Sequence, residues 1–144
     1  MNEYFYNLAQ IAVDAAAEKE ITNLDRRWLY CQWAHETNQF TSRLCVEDCN
    51  FGGLTTINPT EYETENLQQP DGTLAYKHFD TPEEYASYFG HYLSGYMDGD
   101  GVQNATTLEE YIHALKFSPS GEYFGDDYQA YLSNCERIYA EEFA

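Results

Sequence analysis

The chain has 144 residues, which is enough for one domain with a single hydrophobic core. Its 25 acidic and 7 basic residues give a formal net charge of −18, which disfavours binding to nucleic-acid phosphates. No stretch approaches the ~20 apolar residues of a membrane-spanning helix, and the first residues lack the pattern of a signal peptide. We therefore expect a monomeric protein with one domain, 1–144, that neither binds nucleic acid nor inserts into a membrane.

The N-terminal part of the chain predicts two helices. Between Asn2 and Glu20 the apolar residues recur at helical spacing, which indicates an amphipathic helix that serves packing. Asn23 and Asp25 are residue types that cap the start of a helix, and a second helix follows them. Its apolar residues recur at mixed three- and four-residue steps, so it should be buried on most of its circumference. Glu36 lies in its last turn.

Glu36 stands where a carboxyl group is expected to retain a proton. Burial and the negative end of the helix dipole both disfavour the ionised form, so the pKa of Glu36 should be raised. A carboxylic acid with a raised pKa is suited to general acid catalysis near neutral pH. Taken alone, the residue is equally compatible with a solvated glutamate at a frayed helix end.

The middle of the chain shows no helical period beyond a short helical segment within 41–48. Between Phe51 and Phe79 glycines, prolines and polar residues are frequent. Two short runs, 55–57 and 73–76, flank Gln69-Pro70-Asp71-Gly72, which is typical of a hairpin turn. We therefore expect a small β-hairpin lobe in this region.

Three more helices are predicted in the second half. Thr81-Pro82-Glu83-Glu84 is a strong helix start, and it leads into a core helix that ends at about Met97. Thr107 caps a short helix through Leu115, and Gly125-Asp126 opens the last helix. The residues expected to face inward are Tyr85, Phe89, Tyr92 and Leu93 in the first of these helices and Tyr128, Tyr131, Leu132, Cys135 and Ile138 in the last.

Two patterns are similar to metal sites but incomplete. His35 with Cys45 and Cys49 lacks a fourth zinc ligand and a familiar spacing. Segment 98–109 matches a calcium loop at its first, third and last positions and fails at the others. We therefore expect no metal and no cofactor. The cysteines are compatible with free thiols or disulfides, and they are Cys31, Cys45, Cys49 and Cys135.

A series of short motifs runs through the chain from about Arg27 to Ile138. They are Ala34, Glu36, Ser42 and Leu44, then Asn50-Phe51-Gly52-Gly53-Leu54, then Thr60-Glu61-Tyr62, then the segment 76–84, and last Tyr123-Phe124-Gly125-Asp126-Asp127-Tyr128. In this order the series resembles the glucosaminidase domain of family 73 glycoside hydrolases, which are bacterial peptidoglycan hydrolases. The family usually has Gly-Trp-Gly after the catalytic glutamate, where this chain has Asn38, Gln39 and Phe40.

The resemblance implies an α+β, lysozyme-like fold that is mainly helical with a small β-hairpin lobe. It implies an endo-β-N-acetylglucosaminidase that cleaves the β-1,4 bond after N-acetylglucosamine in peptidoglycan glycan strands, acting at the bacterial cell wall outside the cell, in the periplasm or delivered by a phage. Glu36 would be the general acid, Glu61 the candidate base, and Tyr123 a ligand for the acetamido group. The residues expected to bind substrate are Phe40, Asn50, Phe51 and Tyr62.

Other functions are compatible with the same sequence. A lytic transglycosylase would use Glu36 as acid and then as base. A non-catalytic module that binds peptidoglycan or contacts the wall from a virion would retain the groove without the chemistry, and the altered loop 37–40 favours it. An acidic mimic of nucleic acid rests on net charge alone. Within the hydrolase, the substrate's own acetamido group is an alternative to a second carboxylate.

Overall fold

A computed structural model describes residues 1–56 and 75–143 of the chain, and these are mainly helical. The helices within these ranges are α1 (Glu3–Ala17), α2 (Arg26–Glu36), α3 (Arg43–Asp48), α4 (Pro82–Tyr92), α5 (Leu108–Lys116) and α6 (Tyr128–Phe143). Short 3-10 helices follow α4 (Leu93–Tyr96) and precede α5 (Val102–Asn104). None of the described helices has the length and apolar content to cross a membrane.

Each of the six α-helices in the described residues begins at a side-chain cap. The capping residues, which accept a backbone N–H from two or three positions further on, are Asn2, Asp25, Ser42, Thr81, Thr107 and Asp127. Each cap satisfies a donor that the first helical turn leaves unpaired. The caps predicted at Asp25, Thr81 and Thr107 are confirmed, so local sequence signals set where these helices start.

Helix α1 packs against α4 and α2, and small residues permit the close approach to α4. A Cβ atom added to Gly90 would clash with the backbone oxygen of Ala12 and lie 2.7 Å from Cβ of Ala15. Protein interiors accommodate added atoms poorly. The alanines of α1 and the glycine of α4 therefore pack closely and leave no room for larger side chains.

Helix α2 is the central element, because residues 28–34 are all buried. Helix α6 packs along it in the opposite direction: His35 contacts Asn134, while the guanidinium of Arg27 lies 5.4 Å from the ring centre of Tyr139. The N-terminal half of α6 therefore lies beside the C-terminal end of α2. The sequence prediction of a nearly fully buried second helix is confirmed.

The small β-hairpin lobe is not supported. Strand structure in the described residues consists of β1 (Thr55–Thr56) and β2 (Ala75–Tyr76), which pair antiparallel. Strands of two residues are too short to form a layer of their own. Beyond β2 the chain turns to the helices, since the Phe79 N–H donates to the Asp48 carbonyl at 2.9 Å. The predicted turn 69–72 lies outside the described residues.

One core prediction in α4 is wrong. Tyr85, Phe89 and Leu93 are fully buried as predicted, but Tyr92 is 37% exposed. It lies on the side of the helix that also carries Tyr88, which is 36% exposed. The apolar stripe of α4 is therefore narrower than the sequence spacing indicated, and two tyrosines remain at the surface.

Candidate active site at the end of α2

Glu36 is the last residue of α2, and a tight turn follows it. The Thr37 hydroxyl donates to the Trp33 carbonyl at 2.7 Å and accepts the Phe40 N–H at 2.7 Å. The Thr37 carbonyl accepts the N–H groups of Thr41 and Ser42, each at 3.0 Å. These bonds fix the exit from the helix and with it the position of the Glu36 side chain, which is partly exposed to solvent.

The turn holds three consecutive non-glycine residues with positive φ. The φ angles are 50° at Asn38, 61° at Gln39 and 65° at Phe40. Residues other than glycine adopt this region at a cost of about 1 kcal/mol or more each. The family that the chain resembles usually has Gly-Trp-Gly at these positions. In this chain the positive φ angles are adopted without glycine. Strain is therefore stored directly beside the carboxyl group.

The pKa of Glu36 is raised to about 7. Burial is the main cause, because a partly desolvated carboxylate loses its hydration, and the nearby charge of Asp126 adds to the rise. The hydroxyl of Tyr131 faces the carboxyl group and lowers the pKa, although the two groups do not reach regular hydrogen-bond geometry. The pKa of Glu36 therefore lies in the neutral range, where a carboxyl group can both hold and release a proton.

Tyr131 is held rigidly in that position. Its ring stacks on Phe124 at 3.7 Å between ring centres and meets the ring of His35 at 4.2 Å and 64°. His35 is itself fixed by Asn134, whose amide nitrogen lies 2.6 Å from Nδ1, while Arg137 donates to the other end of that amide. Burial lowers the pKa of His35, so its ring is neutral and packs as an aromatic group.

A buried polar chain runs behind Glu36. The Tyr111 hydroxyl donates to the side-chain oxygen of Gln32 at 2.6 Å, and both residues are fully buried. The Gln32 amide nitrogen and the Tyr131 hydroxyl interact, and each is buried without a hydrogen bond of regular geometry in the described residues. Since Gln32 and Glu36 are four residues apart, they share one face of α2. This chain orients the Tyr131 hydroxyl towards the carboxyl group.

Tyr123 and Tyr85 form the opposite wall. The Tyr123 hydroxyl donates to the Gly52 carbonyl at 3.1 Å and lies close enough to Glu36 for their charges to interact. A Cβ atom on Gly52 would clash with the Tyr123 hydroxyl and lie 2.6 Å from that of Tyr85. Glycine is therefore required here so that both hydroxyl groups can approach the loop. The charge of Glu36 also contributes to the raised pKa of Tyr123, and the catalytic roles of the two residues stay predictions.

The Asn50 side chain is buried and bonds to backbone groups around its own loop. Its amide nitrogen donates to the carbonyls of Leu54 and Lys77 at 2.9 and 2.8 Å, and its oxygen accepts the N–H groups of Gly52 and Leu54. The side chain is 1% exposed and its hydrogen-bonding groups are used. The predicted substrate-binding role does not fit this arrangement, in which Asn50 shapes the loop that carries Gly52.

The two phenylalanines predicted to bind substrate belong to the core. Phe40 is 8% exposed and stacks on Phe5 at 4.0 Å, and Phe51 is 1% exposed and packs against Trp33 and Tyr85. Buried rings support the wall of the site but offer almost no face to a sugar, so a direct binding role does not fit their position. Glu61 and Tyr62 lie outside the described residues, and their roles stay predictions.

The zinc hypothesis is not supported in the described part of the chain. The Nδ1 atom of His35 is occupied by Asn134, and no group of three or more His, Cys, Asp or Glu residues there is placed to hold a metal ion. All four cysteines are free thiols, and burial raises the pKa of Cys31 to about 12. The buried thiols of Cys31, Cys45 and Cys135 are therefore unreactive core residues, whereas Cys49 is partly exposed.

Sequence reasoning missed the surroundings of Glu36. Gln32 could have been found from its four-residue spacing to Glu36, whereas Tyr85 and Tyr131 come from distant helices and were predicted only as core residues. Compared with protein-family models, curated proteins and solved structures, the chain has no significant match. The function of this site is therefore argued from its chemistry.

Proposed function

We propose that the protein is a peptidoglycan hydrolase that cleaves the β-1,4 glycosidic bond after N-acetylglucosamine, with Glu36 as the general acid. The observation that carries the proposal is the pKa of Glu36, about 7, in a carboxyl group that is partly buried yet reachable from solvent. A group with this pKa holds a proton at neutral pH and releases it readily, as general acid catalysis requires. The ordered motifs support the choice of substrate.

In the reaction, protonated Glu36 gives its proton to the glycosidic oxygen while the bond from that oxygen to the sugar C1 breaks. Positive charge develops on the sugar, and the oxygen of a water molecule then bonds to C1 and loses a proton. Glu61 is the candidate base for that proton. In the alternative, the substrate's acetamido oxygen bonds to C1 as the protonated glycosidic oxygen leaves. Water then bonds to C1, the bond from C1 to the acetamido oxygen breaks, and ionised Glu36 takes the proton of that water.

Tyr123 is proposed to orient the acetamido group. Its hydroxyl donates to the Gly52 carbonyl, and the charge of Glu36 contributes to its raised pKa. A hydroxyl group can exchange such a bond for one to a ligand amide. The side chain of Tyr131 is almost fully buried, so its proposed contribution is to position and tune Glu36 without touching substrate.

The test is digestion of purified peptidoglycan, with mass spectrometry of the released fragments. Glu36→Gln keeps the size of the side chain and removes the acid, so release should fall by about 10²–10⁴-fold. Asp25→Asn is the matched control, because Asp25 lies at the other end of the same helix, and it should retain full activity. Fragments that end in reducing N-acetylglucosamine would support the proposed bond.

Other outcomes assign the site differently. Anhydro-muramic ends would identify a lytic transglycosylase. Binding of wall fragments without turnover, unchanged by Glu36→Gln, would favour the non-catalytic module. The absence of both binding and release on several wall types would contradict the proposal.

A further inference from the structure

Two tyrosines are exposed one turn apart at the C-terminal part of α4. Tyr88 and Tyr92 are 36% and 37% exposed, and Tyr96 continues the four-residue step into the 3-10 helix that follows. Large aromatic residues gain more from burial than from exposure. Tyr96 is 9% exposed and belongs to the core, so Tyr88 and Tyr92 are the members of the row that a ligand can reach.

The rings form a continuous row. Those of Tyr88 and Tyr92 have centres 6.0 Å apart and planes only 25° apart. Tyr92 and Tyr96 lie 5.8 Å apart, and both contact Tyr123, at 6.1 and 5.7 Å between ring centres. The charge of Glu36 contributes to the raised pKa of Tyr123, so the row runs from the exposed rings towards the candidate acid.

The outer end of the row is fixed in place. The Lys77 ammonium lies 4.4 Å from the ring centre of Tyr88, which is within the range of a cation–π interaction. The ring of Phe79 meets Tyr88 at 5.3 Å and 60°. An exposed ring that is already ordered loses little entropy when a ligand binds to it.

We propose that Tyr88 and Tyr92 form a glycan-binding surface that receives the sugar rings of the strand on one side of the cleaved bond. This inference rests on the proposed function and names a substrate contact that the ordered motifs do not include. Sugar rings present apolar C–H faces with polar rims, and tyrosine matches both with a flat ring and a hydroxyl group. Continuity with Tyr123 and Glu36 favours a glycan strand as the occupant.

The surroundings of the two rings argue against a protein partner. Their exposed neighbours on the same segment are small, polar or acidic, and they are Glu83, Glu84, Ser87, Ser94 and Gly95. The core of a protein interface needs a wider apolar patch than two rings provide. Narrow aromatic faces with a polar border suit a sugar better.

The test is binding of β-1,4-linked N-acetylglucosamine oligomers to the Glu36→Gln protein, measured by calorimetry, so that the ligand is not cut. Tyr88→Ala and Tyr92→Ala should each weaken binding by about tenfold, while Tyr88→Phe and Tyr92→Phe retain most of the affinity because the ring remains. Both sites are exposed and helical, so alanine is tolerated there. Tyr139→Ala, a partly exposed tyrosine near the opposite end of α2, is the control and should bind like the parent.

The results separate the two proposals. If the wild-type protein hydrolyses peptidoglycan while Tyr88→Ala and Tyr92→Ala keep the parent's affinity, the glycan-binding surface is overturned. The proposed function then stands. Tyrosine-dependent binding without hydrolysis by the wild-type protein would support the surface and count against the enzyme. Failure of the oligomers to bind at all would overturn the glycan-binding surface.

Discussion

The two ends of α2 carry two carboxyl groups with opposite properties. At the start, Asp25 accepts the N–H of Arg27 at 2.9 Å and pairs with the guanidinium of the same residue. Burial alone would raise the pKa of Asp25, but these bonds outweigh it and the pKa is lowered. At the end, no cation among the described residues contributes to the pKa of Glu36, and burial raises it to about 7.

Hydrogen-bond and charge partners therefore decide the role of a buried carboxyl group. Asp25 is ionised at neutral pH and serves as a helix cap, whereas the pKa of Glu36 lies near neutral pH. A groove of about 570 Å³ opens at the Asp25 end, lined by Arg27, Trp28, Leu108 and Tyr139 among others. This groove lies beside the carboxyl group without acid chemistry, so a cavity alone is a poor guide to the site here.

The largest expected effect on stability is that of Glu36→Gln. Because the pKa of Glu36 is raised on folding, the folded protein loses stability as pH rises from about 4.5 to about 7. The glutamine variant escapes this loss. It should therefore be more stable than the wild type by about 2–3 kcal/mol at pH 8 and equal to it near pH 4, as measured by urea unfolding at both pH values.

The contrasting result would be equal stability of the two proteins at pH 8. That outcome would mean that Glu36 titrates normally in the folded state, and the acid role would lose its physical basis.

Asp25→Asn should show the opposite pH dependence with a smaller effect. The pKa of Asp25 is lowered on folding, so its contribution is present above about pH 4 and is lost as pH falls through the lowered folded pKa. Asparagine retains the cap, and the Arg27 side chain is 41% exposed, so the loss at pH 7 should be below about 1 kcal/mol. At pH 2 the variant and the wild type should unfold at the same urea concentration. A loss that persists at pH 2 would show that the cap itself was damaged.

Tyr131→Phe should raise the pKa of Glu36 further, by about one unit or less, because the hydroxyl that faces the ionised carboxyl group is removed. If the enzyme proposal holds, the alkaline limb of the pH–activity profile should move to higher pH. Tyr139→Phe, on the same helix near the other end of α2, should leave the pKa of Glu36 and the pH–activity profile unchanged. A lower pKa in Tyr131→Phe would mean that the hydroxyl does not donate to the carboxylate.

Local signals explain what the sequence predicted well. The caps at Asp25, Thr81 and Thr107 are set by neighbouring residues, and the raised pKa of Glu36 has burial as its main cause, as the spacing of apolar residues in α2 indicated. These features depend on a few adjacent positions, so the chain alone contains the information.

Tertiary contacts explain what the sequence predicted poorly. Whether a ring such as Phe40 or Tyr92 lies in the core or at the surface depends on the helix that packs over it, and apolar spacing cannot distinguish the two. The resemblance predicted Asn50 as a substrate ligand, but its amide donates to the carbonyl of Lys77, 27 residues away, and the sequence alone does not show this contact. The β-lobe was inferred from turn residues, and a turn does not ensure long strands.

Titration of the Glu36 side-chain carbon by ¹³C nuclear magnetic resonance tests the central claim most directly, with Glu36→Gln used to assign the signal. The account predicts a midpoint at about pH 7 in the folded protein. A midpoint near 4.5, the ordinary value for a glutamate, would contradict it.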